Sequence, residues 1–386
     1  MRSETPRHLA LTALDRVFKK DDFSGKALAD VFLHHLLLDE RDRAFTSHLV
    51  QGVLRWRMRL DWMIEQASDF PLKKIDPSVL NILRLALYQI FFLDKVPDSA
   101  AVNEAVNQCK RLHAPHIGSF VNGILRNICR GKDQITFPEK GKDPAFFLSV
   151  YYSCPLWMVK KWIREWGTEW AEGFLDASNR VPPLTIRTNT LKIDRPGLLR
   201  VMEEEGLKGI PTPFAPEGIE VEGMRGRVDA SPAFIKGLYQ VQDQAAQITS
   251  RLLAPRPGER ILDLCAGLGG KTTHLAALMG DQGLIVALDT NRRRLVSLTE
   301  SCVRLGIRSI SPVTADASKG LSGLFSAAFD RILIDAPCSG LGTLSRHPDG
   351  KWRRREKDIQ PLARLQREIL RQAAPHLRKG GKMLYV

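Results

Sequence analysis

From residue 261 to its last residue the chain alternates short apolar runs with amphipathic stretches, and few folds accept that alternation. Ile261-Leu262-Asp263-Leu264, Leu284 to Asp289, Ile310 to Asp316, Arg331 to Asp335 and Lys382 to Val386 have the length and composition of buried strands. Thr272 to Met279 and Arg292 to Leu305 repeat at helical period between them. Strand and helix in alternation predict a parallel, doubly wound α/β sheet. Such sheets gather ligands at the carboxyl ends of their strands. Two of those ends carry chemistry: Asp263-Leu264-Cys265-Ala266-Gly267-Leu268-Gly269-Gly270-Lys271, and Asp335-Ala336-Pro337-Cys338-Ser339-Gly340.

The first ~140 residues predict only helices. Thr5-Pro6 and Asp76-Pro77 each put a capping side chain before a proline at the first helical position. Val79 to Leu93 is apolar nearly all round, yet it contains Asn81, Arg84 and Gln89 and so predicts a buried bundle helix, not a membrane span. Val102 to Cys109 and Ile117 to Ile128 add two amphipathic helices. Charge, Gly and Pro from Arg130 to Pro144 mark a boundary. Trp157, Trp162, Trp166 and Trp170 follow at near-helical spacing, which points to packing more than to base stacking. The expected organisation is therefore 1–140 all-helical, 141–180 a helical linker, 181–240 a small α+β subdomain and 241–386 the α/β domain. A formal charge of +14 points to a polyanionic partner, RNA or DNA. Six cysteines without paired spacing fit a reducing cytosol, and the polar start Met1 to Pro6 has no signal-peptide character.

The glycine loop fails two familiar templates. A phosphate loop of the Walker type needs Gly where Cys265 stands, and a dinucleotide fingerprint needs Gly where Thr272 stands. Gly267, Gly269 and Gly270 still let a ligand approach the backbone just ahead of a helix amino end. Asp289 ends the second strand, placed to bind two ribose hydroxyls, and Asp316 ends the third, placed to accept from an adenine amino group. Gly-Leu-Gly-Gly followed by acids at successive strand ends suits S-adenosylmethionine.

With Asp335-Ala-Pro-Cys338, Arg187-Thr188-Asn189-Thr190-Leu191-Lys192 and Gln242-Asp243-Gln244-Ala245, the chain resembles the RNA 5-methylcytosine methyltransferases, most closely the bacterial 16S rRNA enzymes of the Sun/Fmu type. The resemblance covers the whole chain. It implies a Rossmann-like class I methyltransferase domain, incomplete at its carboxyl end, preceded by an all-α NusB-like RNA-binding domain and a small α+β RNA-binding subdomain. It further implies S-adenosylmethionine as cofactor, held by residues 265–271 (Cys265, Ala266, Gly267, Leu268, Gly269, Gly270, Lys271) with Asp289, Asp316 and Asp335. The implied partner is 16S rRNA, with cytosine 967 as target, and the implied protein is cytoplasmic, monomeric and free of metal and membrane. Gly267-Leu268 departs from the usual Ala-Pro, which loosens the loop.

Carbon-5 of cytosine becomes nucleophilic once a thiolate adds to carbon-6, and a thiol of ordinary pKa needs help to ionise. Lys271 and the adjoining helix amino end are candidates for that help, and Asp335 for a hydrogen bond to the cytosine amino group or to the methionine part of the cofactor. In the family resembled, the nucleophile is a second cysteine, in a Thr-Cys pair directly after the fifth strand, and the Pro-Cys thiol assists product release. That assigns release to Cys338, with attack as the alternative. The sequence given stops at Tyr385-Val386, where the pair is expected, so the chain is expected to be a truncated copy unable to complete methylation, with an apolar sheet edge exposed. Arg346, His347, Lys351 and Arg353, around Trp352, form a basic loop suited to phosphate, and Arg187 and Asn189 match the family's RNA-binding entry segment. Arg41, Arg43, Arg55, Arg57 and Arg59 suggest a second basic surface. His34, His35 and His347 make no metal pattern. Two rivals remain open: a tRNA cytosine-5 methyltransferase, disfavoured by the NusB-like domain, and a non-catalytic RNA-binding or ribosome-assembly factor.

Overall fold

The computed structural model describes residues 5–112, 114–224, 226–321, 323–325 and 328–386. Met1 to Glu4 of the polar start lie outside them. Contacts divide the chain into two compact units, residues 1–182 with 340–356, and residues 183–339 with 357–386.

The first unit is helical. Its bundle comprises α1 (Pro6–Lys20), α2 (Ser24–His34), α3 (Glu40–Ala67), α4 (Pro77–Phe92), α5 (Asp98–Leu112) and α6 (Pro115–Arg130). Thr5 caps α1 by accepting from the His8 N–H, and Asp76 caps α4 by accepting from the Ser78 and Val79 N–H groups. Helix α4 is the buried core helix, and its polar residues are satisfied internally. Arg84 forms a two-pronged pair with Asp61 at 2.6 and 2.8 Å, Asn81 donates to Asp15 at 2.8 Å, and Gln89 accepts from Arg7 at 2.6 Å. The unit does not stop at the expected boundary near 140. Met58 on α3 donates its N–H to Ser153 at 2.8 Å, and Trp62 donates to the Thr136 carbonyl at 2.8 Å, so the Gly/Pro-rich stretch is a connection inside one packed body. Helices Leu156–Trp166 and Thr168–Asn179 complete it, with Trp162 buried against Phe174.

The second unit holds two sheets. The small one is antiparallel, in the order β2 (Lys208–Pro211), β3 (Gly218–Glu222), β1 (Leu184–Thr188), β4 (Tyr239–Val241). Ile186, Ile219, Val221 and Tyr239 form its core with Leu198 and Met202 of the helix Arg195–Glu204. The large sheet is parallel throughout, in the order β7 (Ile310–Thr314), β6 (Leu284–Asp289), β5 (Arg260–Leu264), β8 (Phe329–Ile334), β9 (Leu377–Tyr385). Both faces are covered, which is why its strands read as continuous apolar runs. Ile261, Ile285, Ala287 and Leu333 pack with Leu275, Leu298 and Leu305, whereas Leu262, Leu264, Val286 and Ile332 pack with Ile369 and Ala373. The chain runs outward from β5 through β6 to β7, then returns to β8 on the other flank of β5. That reversal is the crevice where doubly wound sheets bind ligands.

Candidate active site

The turn after β5 is built for close approach. Cys265, Gly267 and Gly269 all take left-handed φ, at 68°, 60° and 82°. Each conformation is strained for a residue with a Cβ, so Cys265 is held there by its surroundings. A Cβ at Gly269 would stand 2.0 Å from Leu298 Cδ1, so this glycine exists for packing. A Cβ at Gly267 would meet nothing nearer than the Cys265 carbonyl at 4.0 Å, so this glycine leaves open space in front of the turn.

The acids at the strand ends surround that space. Asp289, at the end of β6, accepts from the Gly267 N–H at 2.9 Å and the Asn291 N–H at 2.7 Å, which ties the turn to the neighbouring strand. Asp316 accepts from the N–H and hydroxyl of Ser318 at 3.0 and 2.7 Å, and these bonds hold its carboxyl below the usual range. Asp289, Asp316 and Cys265 line a cavity of about 270 Å³ together with Leu288, Thr290, Arg294, Ser318, Pro337, Leu365 and Ile369. That is near the lower end of small-molecule pockets, at ~300 Å³. Burial, and then the surrounding acids, push the Cys265 thiol up to about 12, which disfavours its thiolate, and the side chain lines the cavity. Asp263, inside β5, is fully buried. It accepts from the Thr272 hydroxyl at 2.6 Å, its other oxygen has no partner, and burial pushes its carboxyl up to about 7.

On the β8 side of the crevice, Lys271 pairs with Asp335 at 2.5 Å. Lys271 is thus held by a carboxylate at the Pro-Cys strand end. The loop continues through Pro337, whose carbonyl accepts from Gln366 at 2.9 Å, to Cys338, an exposed thiol. Ala266 and Leu268 also belong to the glycine turn, Leu268 with its side chain exposed.

Most of the basic candidates are placed otherwise than expected. Arg187 is 1% exposed and Asn189 2% exposed, and both donate to main-chain carbonyls: Arg187 to Gly270 at 2.7 Å, Asn189 to Gly237 at 2.8 Å and Leu305 at 2.9 Å. Neither side chain presents a donor to a phosphate. Burial pulls the Arg187 guanidinium down to about 9. Lys351 is also buried, its ammonium on the Arg55 carbonyl at 2.7 Å and its pKa pulled down to about 8 by burial. Arg353 donates to the Asp21 and Asp22 carbonyls, and Trp352 to the Leu54 carbonyl at 2.6 Å. The expected basic loop is instead a strap packed onto the helical bundle. Within it His347 is exposed and Arg346 half-buried. Four arginines of α3, Arg43, Arg55, Arg57 and Arg59, are engaged by protein groups as well. Arg55 donates to the Ser345 carbonyl, Arg57 lies over Phe18 and Trp352, and Arg59 over Phe137 and Tyr151. Arg43 donates to the Leu38 and His35 carbonyls, and Arg41 is exposed.

Sequence reasoning missed Asp263, Arg294, Leu365 and Ile369. An acid inside an apolar run was a signal for Asp263; the cavity-lining helix residues gave none. Among the described residues, no group of three His, Cys, Asp or Glu could hold a metal ion, and no helix is long and apolar enough to cross a membrane.

Known proteins show the same architecture. The family model for 16S rRNA methyltransferase RsmB/F matches residues 250–386, the NusB family model residues 4–130, and the ferredoxin-like domain of RsmF/B-like methyltransferases residues 154–227. A probable ribosomal RNA small subunit methyltransferase B of Bacillus subtilis is 35% identical over 385 residues, 100% of this chain and 85% of its own length. The chain belongs to this family of small-subunit rRNA methyltransferases. A Synechocystis member is 37% identical over 382 residues, 98% of this chain and 84% of its own. Among solved structures, a methyltransferase homologue from Pyrococcus horikoshii superposes with a TM-score of 0.56 at 28% identity, over 63% of this chain and 76% of its own. NSun6 from the same organism, solved with the S-adenosylmethionine analogue SFG, gives 0.53 at 26%, over 58% and 81%. The fold is therefore a Rossmann-like methyltransferase domain with a NusB-like domain and a ferredoxin-like subdomain.

Proposed function

We propose that this protein methylates carbon-5 of a cytosine in 16S rRNA, using S-adenosylmethionine. What carries the proposal is the crevice between β5 and β8: an open glycine turn and paired acids on one side, an exposed Pro-Cys thiol on the other. Gly267 and the cavity between Asp289 and Asp316 fit a nucleoside, with Asp289 for the ribose hydroxyls and Asp316 for the adenine amino group. S-adenosylmethionine bound there would supply an electrophilic methyl on a sulfonium.

The chain's own residues account for the rest. Cys338 is the exposed thiol at the strand ends, whereas Cys109, Cys154 and Cys302 are buried and each is pushed up to about 11 or 12 by burial. In attack, a thiolate at Cys338 adds to carbon-6 so that carbon-5 can take the methyl, and it is expelled when a base removes the carbon-5 proton and the 5,6 double bond re-forms. In release, Cys338 is the base that takes that proton. Lys271, one residue into the helix after the glycine turn, brings positive charge to this edge, and Asp335 offers its second carboxylate oxygen to the cytosine amino group. A cytosine must be unpaired or extruded to present carbon-5, which favours a loop or bulge of folded RNA. The NusB-like domain supports RNA as the partner.

Calorimetry with S-adenosylmethionine and covalent trapping on 5-azacytidine-substituted 16S rRNA fragments test the proposal together. Cofactor binding with trapping lost in Cys338→Ala makes Cys338 the nucleophile. Cofactor binding without trapping leaves it the release role. A chain that binds RNA but not the cofactor is an assembly factor, and the proposal fails.

A further inference from the structure

Arg187 heads the large side chains that are fully buried in this chain, and burying a guanidinium costs far more than burying an apolar residue of similar size. Its donors go to the glycine turn. Nη1 reaches the Gly270 carbonyl at 2.7 Å and Gln242 Oε1, and Nη2 reaches Thr273 Oγ1 at 3.1 Å. Thr273 in turn donates to the Gly269 carbonyl at 2.7 Å. The carbonyls of Gly269 and Gly270, where turn becomes helix, are thus both fixed from behind by one network rooted in β1 of the small sheet. The network is poorly completed for a purely stabilising device. Arg187 Nε, Gln242 Nε2 and Gln247 Oε1 are buried without a hydrogen-bond partner. A core selected for stability alone would fill this place with apolar side chains.

We propose that Arg187 is a positioning residue for the cofactor turn, so that the ferredoxin-like sheet forms part of the scaffold of the cofactor site. The inference rests on the turn being the S-adenosylmethionine site. Gln242 aims the guanidinium, and Thr273 passes the restraint to Gly269. These bonds fix the Gly269 and Gly270 carbonyls, so the N–H groups ahead of the helix keep one arrangement.

The test uses the full chain as Arg187→Met, Arg187→Lys and Thr273→Val. S-adenosylmethionine and SFG are titrated by calorimetry, a 16S rRNA fragment by filter binding, and folding is followed by thermal melting. Losing a charge-assisted hydrogen bond corresponds to about 10- to 100-fold in affinity. Arg187→Met should weaken both nucleosides about 50-fold, Arg187→Lys should recover part of that, and Thr273→Val should cost about 5-fold, all with RNA affinity within about 2-fold of wild type. Thr273→Val keeps the test open should Arg187→Met not fold. Variants that melt like wild type and bind cofactor equally well overturn the inference, as does loss of RNA affinity with cofactor affinity intact. A wild-type chain that binds neither nucleoside removes the proposed function, and this inference with it.

Discussion

Asp289 and Asp316 line a cavity, whereas Lys351 and Arg353, equally charged and on the long connection after β8, are sunk against the helical bundle. What differs is the origin of each position. An acid closing a strand of a parallel sheet is put at the sheet's carboxyl edge by topology alone, and its short side chain has little choice of direction. A lysine or arginine on a loop has a long stem that follows whatever surface the loop packs on. Here that surface is α3, whose Leu54 and Arg55 carbonyls are offered to the strap and capped by Trp352 and Lys351.

The strap side of this contrast is the easiest to break. Trp352 packs against the bundle core, under the Arg57 guanidinium at 5.1 Å from the ring. Trp352→Ala should cost about 3 kcal/mol of stability, the lower range for emptying an aromatic site. Calorimetric melting measures it, and a basic loop serving only RNA would show almost no change. On the acid side, Asp289→Asn removes the charge that holds the Gly267 N–H and the partner proposed for two ribose hydroxyls. Cofactor affinity should fall about 100-fold, with rRNA affinity unchanged. If cofactor titration shows less than about a threefold loss, Asp289 only closes the turn.

Asp263 gives a smaller effect with a definite sign. Burial raises its folded pKa to about 7 from an ordinary 3.8, so between those values the folded chain keeps a proton that the unfolded chain has released. Stability from this group is fully present below the unfolded pKa and declines as pH rises, by at most about 1.4 kcal/mol per unit, flattening above pH 7. Asp263→Asn should remove that slope, and urea midpoints at pH 5, 6 and 7 show whether it does.

The same contrast explains what could be read in advance. The individual strands of the parallel sheet, the glycine turn, the caps Thr5 and Asp76 and the core helix α4 were legible because each depends on residues within a few positions of one another. The strap was not: Lys351 and the Arg55 carbonyl it caps are 296 positions apart, and no local pattern encodes that pairing. The inward turn of Arg187 was hidden for the same reason, since the carbonyl it holds lies 83 residues away. Arg187 and Asn189 were expected to meet RNA, and packing that no motif states buries both side chains instead. The extension of the helical unit past 140 depends on contacts such as that of Met58 with Ser153, 95 positions on.

One pair of residues on the strap separates a half-buried charge from an enclosed one. Arg346 is half-buried and beside the exposed His347, whereas Lys351, five residues on, is fully enclosed. A cation contacting a phosphate of unpaired RNA contributes about 0.7 to the slope of log affinity against log salt, because its counterion is released on binding. Arg346→Ala should lower that slope by about this amount and weaken rRNA binding only a few-fold at moderate salt. Lys351→Met should do the reverse, leaving the salt slope intact and shifting the melt, because its charge already resides on the Arg55 carbonyl. Filter binding of a 16S rRNA fragment between 50 and 200 mM salt decides between them. A slope lowered by Lys351→Met would mean that the strap releases its lysine to RNA, and the division between outward acids and inward bases would no longer hold.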